Sequence, residues 1–132
     1  MNKCPSLILQ CEDSLEGILT AIYDAFVEKN KMERYRDGDI SIAIGENHTM
    51  SLFAKEIEVE TDLDKAQKTL FSIQKKISFL AYKKVLSALC HYDRNRGSIV
   101  LGFLIKGFPM GARVIEDMAD PYVMGMIELA RK

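Results

Sequence analysis

Two features of this chain could do chemistry, and both lie within residues 65–113. The first is Gly107-Phe108-Pro109-Met110-Gly111-Ala112-Arg113. Two glycines four residues apart let a backbone come close to a ligand. A helix starting at Pro109 would present free amides beside Lys106 and Arg113, a cradle for a phosphate. The pattern is neither a Walker motif nor a dinucleotide fingerprint. On residue types alone, a tight helix–helix junction with glycines chosen for packing is the better account. The second feature is a set of bases. Lys75, Lys76, Lys83 and Lys84 bracket one expected helix junction, and Arg94 and Arg96 lie on the next loop. Phe79, Tyr82 and Tyr92 are interleaved with them, and an exposed ring among lysines can stack on a base. A solvated lysine face over an apolar stripe is the commoner fate of such residues.

Catalytic patterns are missing. There is no Ser/His/Asp arrangement, no paired-carboxylate motif and no His/Cys ligand spacing, and His48 and His91 are far apart. His48 follows a turn in a polar context that suits a solvent-exposed side chain. The sequence implies no metal and no cofactor. Cys4, Cys11 and Cys90 are an odd set without a CxxC spacing. With no signal peptide apparent, they suggest reduced, inert thiols in a cytoplasmic protein. Leu7-Ile8-Leu9 is much too short for a membrane span or a signal-peptide core.

The overall charge of −1 conceals a segregation. Residues 1–64 hold six bases and fourteen acids, residues 65–113 ten bases and one acid, and residues 114–132 two bases and four acids. Such asymmetry points to a polyanion partner better than the overall pI of about 6.1 does. The competing account is that the acidic first half docks on the basic middle.

The elements that must position these groups follow from periodicity. Leu7-Ile8-Leu9-Gln10-Cys11 reads as a strand. Asp13 as N-cap and Glu16 as its capping-box partner start a helix over residues 14–28, with Leu15, Ile18, Leu19, Ile22 and Phe26 inward. Residues 30–39 form a loop with a turn at Asp37-Gly38. Residues 40–44 alternate as a strand, and residues 57–60 suggest a short third one with Ile57 and Val59 facing the core. Met50, Leu52 and Phe53 form an apolar patch of unassigned state. Thr61 or Asp62 caps a helix with Leu63, Ala66, Leu70, Ile73 and Ile77 inward. Ser78 caps the next, with Phe79, Tyr82, Leu86 and Leu89 inward. Residues 98–108 suit a buried helix, interrupted too soon to span a bilayer. Pro109 begins a helix through Met118, and Asp120 caps a last one with Val123, Ile127 and Ala130 inward.

Several of these segments resemble a known family. The run from Leu9 through Phe26, Val59-Glu60-Thr61-Asp62 with Lys65-Ala66, and Lys75-Lys76-Ile77-Ser78 are similar to a bacterial family of DNA-metabolism and DNA-repair proteins. So are Gly107 through Arg113 and Asp120-Pro121, in the family's order. That family's domain also occurs fused to uracil-DNA-glycosylase-like domains and is encoded beside a radical-SAM protein. The resemblance implies a role in DNA repair or modification as an accessory or nucleic-acid-binding subunit, and it assigns no catalytic residue. Family members continue past the segment matching Glu128-Leu129-Ala130-Arg131 into a strand-rich half. The match therefore implies the N-terminal part of a longer protein.

The expected fold is α+β in one domain over residues 1–132, with five or six helices and a small N-terminal sheet of two or three strands. The expected nucleic-acid contacts are Lys75, Lys76, Lys83, Lys84, Arg94, Arg96, Lys106, Gly107, Gly111 and Arg113. The expected partners are DNA and a radical-SAM protein, with no membrane. One alternative is a protein-interaction module that docks a radical-SAM or glycosylase partner. The other is a glycosylase-like enzyme completed by further residues.

Overall fold

Strand β1 (Leu7–Cys11) lies between β2 (Ile40–Ile44) on one side and β3 (Lys55–Glu58) on the other, all parallel, in a sheet ordered β2-β1-β3. The structure is a computed structural model and describes residues 5–45 and 54–131. Cys4, His48, Met50, Leu52 and Phe53 lie outside the described residues. The fold is α+β and mostly helical, as the periodicity predicts. Leu7, Ile8, Leu9 and Cys11 are all buried, which is why the central strand reads as an apolar run rather than an alternation. β3 begins two residues earlier than its alternation suggests. Pairing with β1 decides this, because the Lys55 amide donates to Ser6 and the Val59 amide to Gln10.

Parallel neighbours require a crossover, and α1 (Leu15–Lys31) provides it between β1 and β2. Its N-cap is Ser14, one residue later than expected, with the hydroxyl accepting from the Gly17 amide at 2.9 Å. Asp13 is committed elsewhere, to the guanidinium of Arg96. The helices that follow are α2 (Leu63–Lys76), α3 (Phe79–Leu89), α4 (Arg96–Met110) and α5 (Pro121–Arg131). Asp62 caps α2 by accepting from the amides of Asp64 and Lys65, and Ser78 caps α3 by accepting from Ala81. Asp120 caps α5 by accepting from Tyr122 and Val123. A 3-10 helix over Gly111–Glu116 follows α4.

The inward faces of two helices differ from expectation. Leu63, in the first turn of α2, is exposed, and the buried row is Ala66, Thr69, Ile73 and Ile77. The Thr69 hydroxyl bonds back to the Lys65 carbonyl at 3.0 Å, which makes its burial tolerable. In α3 the buried row is Ala81, Val85, Ala88 and Leu89, leaving Phe79 and Leu80 exposed. Small alanines allow α3 to lie close against α5, whose Val123, Met126 and Ile127 are buried. Leu89 is buried and Tyr82 packs against the core as expected, but bulk misplaced Phe79 because the interface is set by close approach.

The segment after α3 also departs from expectation. Pro109 lies in the last turn of α4, not the first turn of a new helix. The chain over Arg96–Glu116 is helical for 21 residues and, by length and composition, apolar enough to cross a membrane. In this fold Val100, Leu101, Phe103 and Leu104 of α4 sit in the core instead, against β2, α3 and α5.

Arg96, expected on a loop, is the first residue of α4 and only 7% exposed. Its Nε donates to the Leu89 carbonyl at 3.0 Å and its Nη1 to the Asp93 carbonyl at 3.1 Å, while Nη2 bonds Asp13. Two residues on, the Ser98 hydroxyl accepts from the Ile42 amide at 2.9 Å. That contact satisfies a group on the outer edge of β2, an edge otherwise open to pairing. Arg96→Ala is expected to lower the unfolding free energy by about 3 kcal/mol, and Asp13→Ala by about 2 kcal/mol. Urea denaturation measures both, and an unchanged midpoint for Arg96→Ala would refute the role given to this side chain.

Candidate nucleic-acid interface

The ten bases of residues 65–113 fall into two groups. Four are held by acids. Lys65 bonds Asp24 at 2.9 Å, Lys68 bonds Asp64 at 3.0 Å, and Arg96 pairs with Asp13. Lys106 bonds Asp120 at 2.6 Å and lies 4.0 Å from Asp37. Hydrogen bonding to Asp24 raises the Lys65 pKa, and hydrogen bonding to Asp120 raises that of Lys106. Four of these acids, Asp13, Asp24, Asp37 and Asp64, belong to the acidic first half. The docking of acidic half on basic middle is therefore real, but partial. Lys75, Lys76, Lys83, Lys84, Arg94 and Arg113 have no carboxylate partner among the described residues.

Four of the unpaired bases meet at the corner where α2 ends and α3 begins. Lys75 and Lys76 close α2, Ile77 and Ser78 make the bend, and Lys83 and Lys84 follow in α3. Phe71 and Phe79, 62% and 57% exposed, flank the bend. The Lys75 ammonium stands 5.5 Å from the Phe71 ring centroid, and Lys83 stands 5.8 Å from that of Phe79. Each is a Phe-x-x-x-Lys pair, the four-residue helical spacing that puts a cation over a ring. Phe79 also stacks on Tyr82 with centroids 5.7 Å apart. The corner thus combines flat apolar rings with unneutralised ammonium groups.

Residues 107–111 sit beside this corner, but not as a helix start. They form the C-terminal end of α4, where Gly111 takes φ 73° and its amide donates back to Gly107. Helix carbonyls carry partial negative charge, so this end repels an anion. The amide-rich end lies instead at Ser78, where the Phe79 and Leu80 amides in the first turn of α3 have no intrahelical acceptor. Gly107 is there for packing, since a Cβ on it would come within 2.7 Å of Ile77. The sequence reading that favoured packing over ligand approach is correct for this glycine. Phe108, between the two glycines, lies under Lys76, with the ammonium 5.8 Å from the ring centroid.

The other expected contacts are not gathered here. Arg96 is buried and Lys106 is paired, so both serve the fold rather than a surface. Arg94 follows the far end of α3, about 16 Å along the helix from the bend. Arg113 shares a shallow depression with Glu116 and Asp117, which weakens its appeal to a phosphate. Tyr92 is exposed and stacks on His91 at 4.8 Å, near Arg94 rather than the corner.

Two further depressions bear on ligand binding. One lies at the carboxyl ends of the three strands, lined by Gln10, Cys11, Glu12, Asp13, Glu58 and Thr61. Open α/β sheets commonly bind ligands at such a place. Here it is acidic and self-satisfied. Glu12 accepts from Ser14 and Thr61, Asp13 holds Arg96, and burial pushes the Cys11 thiol up to about 12. The other is a groove of about 300 Å³ between α1 and α2, with Lys76 and Phe108 on its wall. Among the described residues no group of three or more His, Cys, Asp or Glu is placed to hold a metal ion.

No family model, curated protein or solved structure matches this chain.

The Lys106–Asp120 pair yields a pH prediction. Burial raises the Asp120 carboxyl, but hydrogen bonds from Lys106 and from the Val123 and Tyr122 amides outweigh it and hold the pKa below its ordinary value. The stability this group contributes is full above the unfolded pKa, near 4, and is lost as the pH falls through the lower folded value. Asp120→Ala removes the α5 cap and the Lys106 counter-charge together. It is expected to cost about 2 kcal/mol at pH 7 and to flatten the acid limb of the pH–stability profile. Thermal melts from pH 7 down to pH 2 measure both effects.

Proposed function

We propose that this chain is a nucleic-acid-binding accessory module for DNA repair or modification, and that its binding surface is the corner between α2 and α3. The observation that carries the proposal is that Lys75, Lys76, Lys83 and Lys84 have no carboxylate partner among the described residues, while Phe71 and Phe79 stand exposed beside them. Ammonium groups track a phosphate backbone without regard to sequence. Exposed rings offer faces to unstacked bases, which favours a single strand over a duplex. The resemblance of Lys75-Lys76-Ile77-Ser78 and its flanking segments to a DNA-metabolism family supports the same assignment.

A second proposal rests on Phe71, Phe79 and Leu80, which are all exposed. On this alternative the corner docks a protein partner such as a radical-SAM or glycosylase protein. Salt separates the two, because apolar docking survives moderate salt and phosphate contacts do not.

Fluorescence anisotropy with short single- and double-stranded DNA tests the first proposal. Four phosphate contacts to a single strand predict a slope of log K against log salt of about −3. Reversing Lys75, Lys83 and Lys84 to Glu is expected to abolish binding near physiological salt, while Phe79→Ala weakens binding to single strands by about tenfold. Absence of binding even at low salt would overturn the proposal and favour the protein-docking alternative.

A further inference from the structure

The groove between α1 and α2 differs in character from the acidic depression at the strand ends. Phe26 and Phe108 form an aromatic wall, with ring centroids 5.2 Å apart and planes at 54°. Tyr23, Asn30 and Ser72 supply polar groups around it. The Asn30 amide and the Ser72 hydroxyl have no hydrogen-bond partner among the described residues. Lys76 is the unpaired cation in the lining, since the other lysine there, Lys68, is held by Asp64. The space of about 300 Å³ corresponds to about ten waters, which suits one nucleoside and excludes a duplex.

Position links the groove to the corner. Lys76 belongs to both, and Lys75 precedes it in the last turn of α2, with its ammonium over Phe71. We propose that the groove takes a single unstacked nucleotide of the bound strand, with its base against Phe26 and Phe108 and its phosphate on Lys76. Asn30 and Ser72 then bond the polar edge of the base or its sugar. This inference rests on the reading of the α2–α3 corner as a nucleic-acid surface. Unstacking is least costly in a single strand, the form that the exposed rings favour.

The test is a nitrogen–proton correlation NMR titration of the full chain. The probes are the four deoxynucleoside 5′-monophosphates, inorganic phosphate and a single-stranded octanucleotide. Mononucleotides are expected to shift the Tyr23, Asn30, Ser72 and Phe108 amides, and inorganic phosphate to shift only those next to Lys76. Val27→Trp, which fills the groove from an exposed position on its rim, is expected to weaken mononucleotide binding at least about tenfold. The same variant should leave the salt slope for the octanucleotide unchanged. Asn30→Ala, at an exposed position with no partner to lose, should give a smaller loss without disturbing the fold. Reversal of Lys83 and Lys84 to Glu should weaken the octanucleotide and spare the mononucleotides. The groove assignment fails if the octanucleotide binds while mononucleotides move none of these amides. It fails equally if inorganic phosphate reproduces the whole pattern, which would mark a phosphate site and nothing more. Failure of the octanucleotide to bind at all takes down the corner reading with it.

Discussion

The guanidinium of Arg96 joins the two parts of this fold. It bonds two carbonyls of its own helical layer, from Leu89 and Asp93, and reaches Asp13 in the loop between β1 and α1. A buried charge must be paired and fully hydrogen-bonded or it destabilises the fold, so the register between the helices and the sheet is narrowly constrained. From that point α4 is aimed. Gly97 and Ser98 meet Ile42 on β2, and the body of the helix runs through the core to Gly107 against Ile77. The end of α4 therefore arrives under the bend between α2 and α3. The surface proposed to bind nucleic acid is set, through one helix, by a contact at the opposite end of that helix.

Electrostatics divides along the same line. The acids that reach the basic segment do so where structure is made. Asp13 joins sheet to helices, Asp24 ties α1 to α2, and Asp120 starts α5 beside Lys106. No carboxylate among the described residues reaches the four lysines at the corner. A chain of almost zero net charge can thus carry a local cationic surface, because none of its described acids pairs with those lysines. Charge counting along the sequence detects the segregation but cannot say which bases remain free, since pairing is decided by contacts distant in sequence, 41 residues apart for Lys65–Asp24 and 83 for Arg96–Asp13.

Much of the architecture was legible in the sequence because it rests on local chemistry. Thr61-Asp62, Ser78 and Asp120 announced three helix starts, with Asp62 the cap in the first, and β1 announced itself as an apolar run. What was not legible depends on distant partners. Asp13 is an acceptable N-cap by type, yet Arg96 claims it and Ser14 takes the cap. Phe79 outranks Ala81 in hydrophobicity, yet the close approach of α5 selects the alanines. Proline commonly opens helices, but here Pro109 lies in the last turn of α4, where it supplies no amide to the Ile105 carbonyl, and Gly111 ends the helix with a positive φ. That one misplaced boundary reversed the polarity of the expected phosphate cradle. Phe71 was passed over for the site, although the repeated Phe-x-x-x-Lys spacing at 71–75 and 79–83 was there to be read.

The lysines of the corner have partial structural explanations, and these decide how much must be explained by binding. Lys75 and Lys76 occupy the last turn of α2, where cations complement the helix dipole. Lys83 and Lys84 lie in the middle of α3, beyond the reach of either helix end, so the dipole does not account for them. Solubility alone asks for charge at such positions, but it does not ask for aromatic rings beside the charges. Burying a phenylalanine side chain is worth about 2–3 kcal/mol, and α3 forgoes this by turning Phe79 outward and Ala81 inward. Close packing against α5 explains why alanine faces in. It does not explain why the outward position is phenylalanine, four residues before a lysine, twice in succession around one bend. A planar partner that carries negative charge accounts for rings and cations together, and an unstacked nucleotide strand is such a partner.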